Sequence, residues 1–500
     1  MANLPAGPER VSRPDLPLSN EEDQVYPVHM LDDTTTLRGI VLTWTLCFND
    51  VLDADRLHIA LSKLLEIGDW KKLGGRLRLR NKGLEIYVPP MFSKKRPAVL
   101  YTKNTFDVAA EDHPIAKLFP KATKGASMHP GPQEFRIFAT RDDAPQTLED
   151  YLSNDTPQLS LHITTFTNAT IVGLSFPHTL MDVMGQQALL RSWSLVLAGK
   201  EAEVPPLLGA REDVLISAAN TSEIVEQEHT MMSKRLQGWS LLKFTMRFIW
   251  DYFWYKTVET RTICLPKQTL SDLHVQAQNE LGVFGEKEEK PFISEGDVLT
   301  AWGIRAIASS LPQPRPVIPM QAINARFRLP SLLGPPGVFV QNMAINSFTF
   351  LSHELATGPL GPIALENRRR LQEQATEQHI LAVLVEVQRQ IKGHADPCEV
   401  IFGTSDSLLM PFSNWSRAKL FEAADFGPAV LSKGEPDLLR KNPPGTILFQ
   451  HGSSIKQTPT ARNFFMVVGK DHGGNCWLTG TLLPATWAVI EEELKRLQSD

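Results

Sequence analysis

Residues 170–197 constrain the fold of this chain more than any other stretch. They begin with TIVGLSFP, an apolar and β-branched run that predicts a buried strand. Pro177 disfavours helix for Phe176, so the strand is expected to end there. The later residues VMGQQALLRSWSLVL have the apolar spacing of an amphipathic helix. The stretch therefore predicts a strand, a sharp turn and a helix, and the turn carries His178 and Asp182.

Strand patterns and helix patterns are mixed along the rest of the chain. Strands are predicted over residues 39–48, 76–80, 84–89, 159–167, 261–265, 323–329, 343–350, 446–450, 464–468 and 476–483. Further helices are predicted after Asp53 or Asp55, from Ser294, over residues 363–392 and from Pro484. The expected fold class is α/β, with mixed sheets of the α+β kind.

The length of 500 residues exceeds what one hydrophobic core supports, so two halves are expected. The predicted division is an N-terminal domain at 1–205, a helical crossover at 206–256 and a C-terminal domain at 257–500. Within the crossover, residues 239–255 place Lys243, Arg247 and Asp251 on one helical face, which predicts an amphipathic helix rather than a membrane span. This helix either packs on a domain surface or touches a membrane or a greasy substrate.

Composition excludes several classes of function. A formal charge of −5 provides no basic face for nucleic acid. The four cysteines, at positions 47, 264, 398 and 476, show no zinc spacing, so no metal site is expected. Their sparse use fits a reducing compartment. The N-terminus has no apolar region of a secretory signal. A cytoplasmic protein without a transmembrane segment is therefore expected.

The chemistry that remains is centred on His178 and Asp182, because the chain shows no phosphate-binding glycine motif and no GxSxG elbow. An imidazole with a pKa near 6.5 is suited to take a proton from an alcohol or amine and later return it. Asp182 stands just before the helix, where it can act as an N-cap. A structural histidine beside a capping aspartate is the competing interpretation, since 13 histidines give this spacing about once by chance.

The order of motifs along the chain resembles the BAHD superfamily of HxxxD acyltransferases, especially its fungal members that act in secondary metabolism. The matching elements are LGGRL at 73–77, SFPHTLMD at 175–182, RSW at 191–193, GDVLTAW at 296–302, NARFR at 324–328, VQN at 340–342, SNW at 413–415 and ADFG at 424–427. Two positions depart from the family: Val183 replaces the glycine after HxxxD, and Pro428 with Ala429 replaces the Trp-Gly after DFG.

The resemblance implies two chloramphenicol-acetyltransferase-like domains with a channel between them. His178 would act as general base on the acceptor. Asp182 would turn from the pocket and pair with an arginine of the NARFR element, and Arg326 is favoured over Arg328, although both share one face if that segment is a strand.

The resemblance also suggests roles for the two later motifs. The indole N–H of Trp415 is the first candidate donor to a developing oxyanion, and Ser413 is the second. Asp425 and Gly427 would shape the DFG loop. Ser432 and Lys433 follow that loop and would meet the phosphates of CoA; an ordinary exposed loop lysine is the competing interpretation.

The function implied is acyl-CoA-dependent O-acyltransfer to a hydroxyl of a small secondary metabolite such as a terpenoid, polyketide or alkaloid. Acetyl-CoA is the expected cosubstrate, with no permanently bound cofactor, and the chain is expected to act as a monomer. Two alternatives stay open: an N-acyltransferase, and a non-catalytic metabolite-binding protein on a degenerate fold. A peptide-synthetase condensation domain ranks lower, because Pro177 and Val183 break its HHxxxDG motif and no carrier domain is attached.

Overall fold

The computed structural model of the chain describes residues 23–221, 231–282, 291–393, 400–456 and 461–499. The strands are β1 (Gln24–Pro27), β2 (Val41–Phe48), β3 (Asp50–Leu52), β4 (Arg76–Arg80), β5 (Gly83–Val88), β6 (Leu100–Thr105), β7 (Ser127–Pro130), β8 (Ser160–Thr165), β9 (Thr170–Pro177), β10 (Glu259–Leu265), β11 (Val317–Asn324), β12 (Ala344–Phe348), β13 (Leu408–Asn414), β14 (Val430–Lys433), β15 (Phe449–Ser454), β16 (Phe464–Lys470) and β17 (Cys476–Leu482).

The helices are α1 (Thr35–Arg38), α2 (Ala54–Leu64), α3 (Arg136–Ala139), α4 (Leu148–Ser153), α5 (Val183–Leu197), α6 (Val214–Thr221), α7 (Gly238–Trp254), α8 (Lys267–Glu280), α9 (Glu295–Ser309), α10 (Pro330–Leu333), α11 (His353–Ala356), α12 (Leu360–Gln374), α13 (Glu377–Lys392) and α14 (Pro484–Ser499). Asp53 caps α2, and Ser294 caps α9 through a reciprocal capping box, as the sequence predicts.

A five-stranded sheet occupies the N-terminal half, in the order β15-β2-β9-β8-β6. Strand β9 lies at its centre, and every residue of β9 is buried. It runs antiparallel to β2 and β8. The register pairs Val41 at the start of β2 with Pro177 at the end of β9, so His178 leaves the sheet beside the first residues of β2.

A mixed sheet occupies the C-terminal half, in the order β12-β11-β13-β16-β17-β10-β7. Strands β11, β13 and β16 are parallel to one another, and the remaining neighbours are antiparallel. Strand β13 carries Ser413 and ends at Asn414, directly before Trp415. The sheet therefore presents the SNW motif at the end of a central parallel strand.

Each main sheet includes a strand from the other half of the sequence. β15 follows the C-terminal strand β13 along the chain, yet it pairs with β2 from Phe449 opposite Cys47 to Ser454 opposite Leu42. β7 belongs to the first third of the chain, yet it pairs with β10. The N-terminal apolar core also takes in Trp477 of β17. The two halves are thus joined by exchanged strands as well as by surface contact.

Three predicted elements differ from the structure. The single helix expected over 363–392 is two helices, because Thr376 accepts a hydrogen bond from the backbone of His379 and caps a new start at α13. The strand expected over 323–329 ends at Asn324, whose side chain caps a short 3₁₀ turn, Ala325–Phe327. The strand expected over 446–450 begins only at Phe449.

The crossover contains α6 and α7, and residues 222–230 of the predicted helical connection lie outside the described residues. Helix α7 confirms the amphipathic helix expected at 239–255. Phe244 of α7 is buried, and Leu241, Phe248 and Tyr252 on the same side are half-buried, so one stripe of the helix packs on the protein while the opposite face is exposed. In the described ranges no helix combines the length and apolarity needed to cross a bilayer.

Candidate active site

The turn between β9 and α5 is shaped by its own sequence. Asp182 has an extended backbone and occupies the N-cap position of α5. Its Oδ1 accepts hydrogen bonds from the backbone N–H groups of Met184 at 3.0 Å and Gly185 at 3.1 Å. A carboxylate here satisfies two otherwise unpaired donors at the positive end of the helix. Asp182 therefore fixes the direction in which α5 leaves the turn.

The second oxygen of Asp182 joins the turn to the C-terminal half. Arg326 donates from Nη1 to Oδ2 at 2.5 Å, and the backbone N–H of Met343 donates to the same oxygen at 3.1 Å. Arg326 also donates to the carbonyl groups of Phe339 and Gln341. Both charged groups are buried, and this set of donors and acceptors provides the geometry that a buried ion pair requires.

The two arginines of the NARFR element lie in different environments. Arg326 is in the 3₁₀ turn and is buried, whereas Arg328 is exposed. The turn replaces the strand on which both side chains would have shared one face. The structure thus pairs Arg326, and not Arg328, with Asp182.

His178 is held through its backbone from both sides. Its N–H donates to the carbonyl of Ile40 at 2.9 Å, and its carbonyl accepts from Nδ2 of Asn342 at 2.8 Å. Within the described residues, the buried Nδ1 atom of the ring has no hydrogen-bond partner. Burial lowers the pKa of His178, opposed by its own backbone, by the charge of Asp182 and by the Asn342 side chain. The ring is therefore neutral near pH 7, which is the form that accepts a proton.

Asn342 and Asp32 lie behind His178, although the sequence indicates no role for either residue at the site. The backbone N–H and the Nδ2 of Asn342 both donate to Oδ1 of Asp32 at 2.7 Å. Asp32 is buried. Asn342 belongs to the VQN motif, so the sequence contained a signal that could have identified it as a site residue. The LDD segment around Asp32 has no pattern that indicates a partner 310 residues away.

Trp415 and Ser413 form a hydrogen-bonded pair at the end of β13. The indole N–H donates to the hydroxyl oxygen of Ser413 at 3.0 Å. The backbone N–H of Trp415 donates to the carbonyl of Val467 at 2.8 Å. The ring lies over Gly452 of β15, where an added Cβ would come within 3.1 Å of it. Trp415 thereby contacts the N-terminal sheet, and the Ser413 hydroxyl keeps its own proton for donation.

The DFG loop packs against the N-terminal half. Oδ1 of Asp425 accepts from the N–H of Gly427 at 3.1 Å, and the N–H of Asp425 donates to the Ser194 hydroxyl at 2.9 Å. Phe426 stacks on Phe48, with ring centroids 5.4 Å apart. These contacts shape the loop and dock it on β2 and α5.

Ser432 and Lys433 lie on β14, which pairs with β3 of the N-terminal half. Both residues are exposed. Nζ of Lys433 lies 2.8 Å from both carboxylate oxygens of Asp437. An anionic ligand would therefore compete with this surface ion pair for the lysine.

Two cavities lie beside these elements. One, of about 330 Å³, borders the SNW segment and is lined by Asn414, Arg417 and Lys470 among others. The other, of about 380 Å³, has walls from both halves, including Phe48 of β2 and Trp477 of β17. The described residues contain no cluster of side chains suited to hold a metal ion.

Comparisons with known proteins identify the family of the chain. A family model described as the transferase family matches residues 140–430. The chain is 35% identical over 488 residues to O-acetyltransferase PaAT-2 of Phomopsis amygdali, covering 95% of this chain and 98% of that protein. It is 36% identical over 482 residues to acetyltransferase pyiB of Pyricularia grisea, covering 96% and 95%.

The fold agrees as well. The crystal structure of F. graminearum TRI101 complexed with coenzyme A and T-2 mycotoxin superposes with a TM-score of 0.64, covering 95% of this chain and 98% of that chain at 14% sequence identity. This likeness confirms the predicted α/β class with mixed sheets. Together with the family model and the fungal relatives, it shows that the chain belongs to the BAHD superfamily of acyl-CoA-dependent acyltransferases.

Proposed function

We propose that this enzyme transfers an acetyl group from acetyl-CoA to a hydroxyl group of a small secondary metabolite, with His178 as general base. The observation that carries the proposal is the anchored histidine. Both its backbone N–H and its carbonyl are hydrogen-bonded, and the Asp182–Arg326 pair fixes the turn that carries it. Its ring is neutral near pH 7. A neutral, positioned imidazole is what general-base catalysis requires.

The proposed reaction proceeds without a covalent enzyme intermediate. The imidazole of His178 removes the proton of the acceptor hydroxyl while the oxygen attacks the thioester carbonyl of acetyl-CoA. The tetrahedral intermediate then collapses, the C–S bond breaks, and the imidazolium returns the proton to the CoA thiolate. The products are the acetyl ester and CoA, and the histidine ends neutral.

The tetrahedral intermediate carries an oxyanion, for which the proposal assigns Trp415 and Ser413. Because the indole N–H donates to the Ser413 hydroxyl, the pair can act as one unit, with the serine hydroxyl polarised toward the oxyanion. Asp425 and Gly427 support the DFG loop. Ser432 and Lys433 would bind the phosphates of CoA, with Lys433 giving up its ion pair with Asp437.

The acceptor class is proposed from the relatives and from the fold neighbour. The relatives are named O-acetyltransferase and acetyltransferase, and the TRI101 structure contains CoA together with a mycotoxin. We therefore propose a terpenoid, polyketide or alkaloid alcohol as the acceptor. The enzyme is proposed to act as a monomer, because His178 and the SNW motif come from the two halves of a single chain. A cytoplasmic location is proposed because the sparse use of cysteine fits a reducing compartment.

The direct test of the proposal is His178→Ala. With acetyl-CoA and a panel of terpenoid, polyketide and alkaloid alcohols, release of free thiol is expected to fall at least about a hundredfold, because proton removal is lost. His58→Ala serves as the matched control, since His58 lies on α2 and stacks on Tyr101. Circular dichroism checks that both variants fold. Near-normal turnover of His178→Ala would refute the mechanism.

Trp415→Phe tests the oxyanion assignment. Phenylalanine keeps a ring over Gly452 but removes the indole N–H, so kcat is expected to fall about a hundredfold while KM for acetyl-CoA changes little. Ser413→Ala removes the other half of the pair and should act in the same direction. Steady-state kinetics provide both constants, and an unchanged kcat in Trp415→Phe would show that the indole N–H does not contribute to stabilising the oxyanion.

The thiol assay also separates the competing functions. Release with amines but not alcohols would favour an N-acyltransferase. Metabolite binding without release of thiol, whichever acceptor is added, would favour a non-catalytic binder. The departures from the family motifs at Val183 and Pro428 are the reason to test for it.

A further inference from the structure

A group of buried titratable side chains lies behind the HxxxD turn, and the proposed mechanism uses none of them. Asp32, Lys72 and His29 are each at most 5% exposed. Nζ of Lys72 lies 3.3 Å from Nε2 of His29 and donates to the carbonyl of Ala210 at the same distance. Burial raises the pKa of Asp32 and lowers that of Lys72, and the opposite charge of the other residue counteracts each shift. Isolated buried charges are costly, so the pair needs a compensating arrangement.

A chain of hydrogen bonds connects this group to His178. Oδ1 of Asp32 accepts from both the backbone N–H and the Nδ2 of Asn342 at 2.7 Å. The same Nδ2 donates to the carbonyl of His178 at 2.8 Å. Asp32 comes from the N-terminal segment and Asn342 from the C-terminal half, so the bonds cross the junction between the halves. The amide of Asn342 cannot rotate without losing its hydrogen bond to Asp32.

We propose that Asp32 and Asn342 are positioning residues for the base: they fix the peptide group of His178 and thereby the direction of its ring. The proposal rests on the proposed function, in which His178 removes the proton. Lys72 belongs to the same buried group, where its positive charge favours the ionised form of Asp32. Misplacement of a reacting group by about 1 Å costs on the order of a hundredfold in rate, so a loose His178 backbone should lower kcat more than substrate affinity.

Two substitutions test this positioning role. Asp32→Asn keeps the shape of the side chain but removes its charge, and Asn342→Leu keeps the volume but removes the amide. Each is expected to lower kcat about tenfold to a hundredfold, with KM for acetyl-CoA and the Kd for CoA within about twofold. Asp33→Asn is the matched control, because the neighbouring Asp33 binds Arg38 and lies outside this chain of bonds.

A second variant keeps the test decisive if a single substitution unfolds the protein. Asp32→Leu combined with Lys72→Met removes both charges, so no unpaired ion is buried. Its melting temperature should approach the wild-type value while kcat stays low.

The outcomes separate this proposal from the function on which it rests. Loss of turnover in His178→Ala with full kcat in Asp32→Asn and Asn342→Leu would overturn the positioning role alone. Full turnover in His178→Ala would overturn the general-base mechanism and the positioning role with it. A parallel loss of kcat, CoA binding and melting temperature would show a merely structural role and overturn the proposal.

An independent observation concerns helix α7, which exposes a continuous apolar face. Its large side chains recur at spacings of three and four, and each is 39–78% exposed. The residues are Trp239, Leu242, Met246, Ile249, Trp250, Phe253, Trp254 and, directly after the helix, Tyr255. Contiguous exposed apolar surface of this kind marks an interaction site.

The exposed charges on and beside this face are basic. Lys243 and Lys256 are exposed. The acidic residue of the helix, Asp251, is bound at 2.5 Å by the buried Arg315, so its charge is balanced inside the protein. The basic rim is a local feature, because the whole chain has a formal charge of −5.

The geometry points to the surface of an anionic lipid bilayer as the occupant, with α7 lying parallel to it. Tryptophan and tyrosine are enriched at membrane–water interfaces, and lysines beside them attract anionic headgroups. Seventeen residues form a helix about 25 Å long, which suits a surface-bound helix and not a span.

Sedimentation with phosphatidylcholine vesicles, with and without phosphatidylserine, tests this inference. The full chain is expected to bind, and phosphatidylserine should strengthen binding. The double substitution Trp250→Ser with Phe253→Ser should weaken binding at least about tenfold, since two large apolar groups no longer enter the interface. Lys243→Glu should reduce the increase in vesicle binding that phosphatidylserine produces. Leu438→Ser is the matched control, because Leu438 is 98% exposed outside α7.

Binding that responds to α7 and not to Leu438 supports the bilayer. Absence of vesicle binding overturns the inference, and so does binding that the α7 variants leave unchanged. A dimer in analytical ultracentrifugation that the α7 substitutions dissociate would identify a second copy as the occupant and would overturn it too.

Discussion

His178 is constrained chiefly through its peptide groups, which leaves its ring free to exchange a proton. Ile40 and Asn342 form hydrogen bonds with its backbone. One carboxylate oxygen of Asp182 caps α5, and the other pairs with Arg326. Positioning and proton transfer are thus assigned to different residues. An aspartate with its oxygens occupied in this way cannot also orient the imidazole as a triad carboxylate does.

The pH dependence of turnover follows from the burial of this ring. Burial disfavours the imidazolium, so the pKa of His178 lies below its ordinary value of about 6.5. The base is then neutral at higher pH and becomes protonated only in more acidic solution. We expect kcat/KM to be level above about pH 6.5 and to fall below it, with a midpoint under 6.5. A pH–rate profile measures this, and a midpoint above about 7 would contradict it.

At the scale of elements, the turn between β9 and α5 depends on the C-terminal half for its shape. The segment 340–343 bonds to it at three places: Val340 accepts from the N–H of Asp182, Met343 donates to the carboxylate, and Asn342 donates to the carbonyl of His178. The HxxxD turn is therefore an interface between the halves. Changes in either half should reach the base through these bonds.

Arg326→Met and Arg328→Met distinguish the anchor from its exposed neighbour. Loss of Arg326 leaves the Asp182 carboxylate buried without its partner, so the free energy of unfolding should fall by about 3–5 kcal/mol and turnover should fall with it. Arg328 is exposed, and its loss should change stability by no more than about 0.5 kcal/mol. Urea unfolding measures both, and equal effects would remove the assigned role of the pair.

Elements with a strong local signal could be predicted from the sequence. The strand and helix around the HxxxD turn follow from apolar spacing and from Pro177, and the structure has β9 and α5 there. Arg326 and Arg328 could not be separated, because their different burial depends on a 3₁₀ turn that Asn324 caps. No role could be predicted for Asp32, because tertiary packing brings it to Asn342 and no local sequence pattern indicates that contact.

At the scale of the whole molecule, the exchanged strands make the halves interdependent. β15 forms one edge of the N-terminal sheet, β7 forms one edge of the C-terminal sheet, and Trp477 of β17 contributes to the N-terminal core. The sequence indicated two halves of similar size, but pairing between distant strands leaves no periodicity that could have predicted the exchange.

We expect the protein to unfold in one cooperative transition despite its length. Neither half keeps its full sheet when the other unfolds, so a partly unfolded state would expose a sheet edge and apolar core together. Circular dichroism and tryptophan fluorescence should report coincident melting curves. Two separated transitions would show that the halves are independent.

The place of β15 in the N-terminal sheet has a consequence during synthesis on the ribosome. The first half of the chain is complete as a sequence by about residue 205, yet its sheet lacks an edge until residues 449–454 have emerged. At about 5–20 residues per second, roughly ten to fifty seconds pass between these points. Throughout that interval the edge of β2 offers unpaired N–H and C=O groups, which can pair with other nascent chains. The yield of folded enzyme in a cell should therefore depend on chaperones that cover this edge until β15, near the end of the chain, has been synthesised.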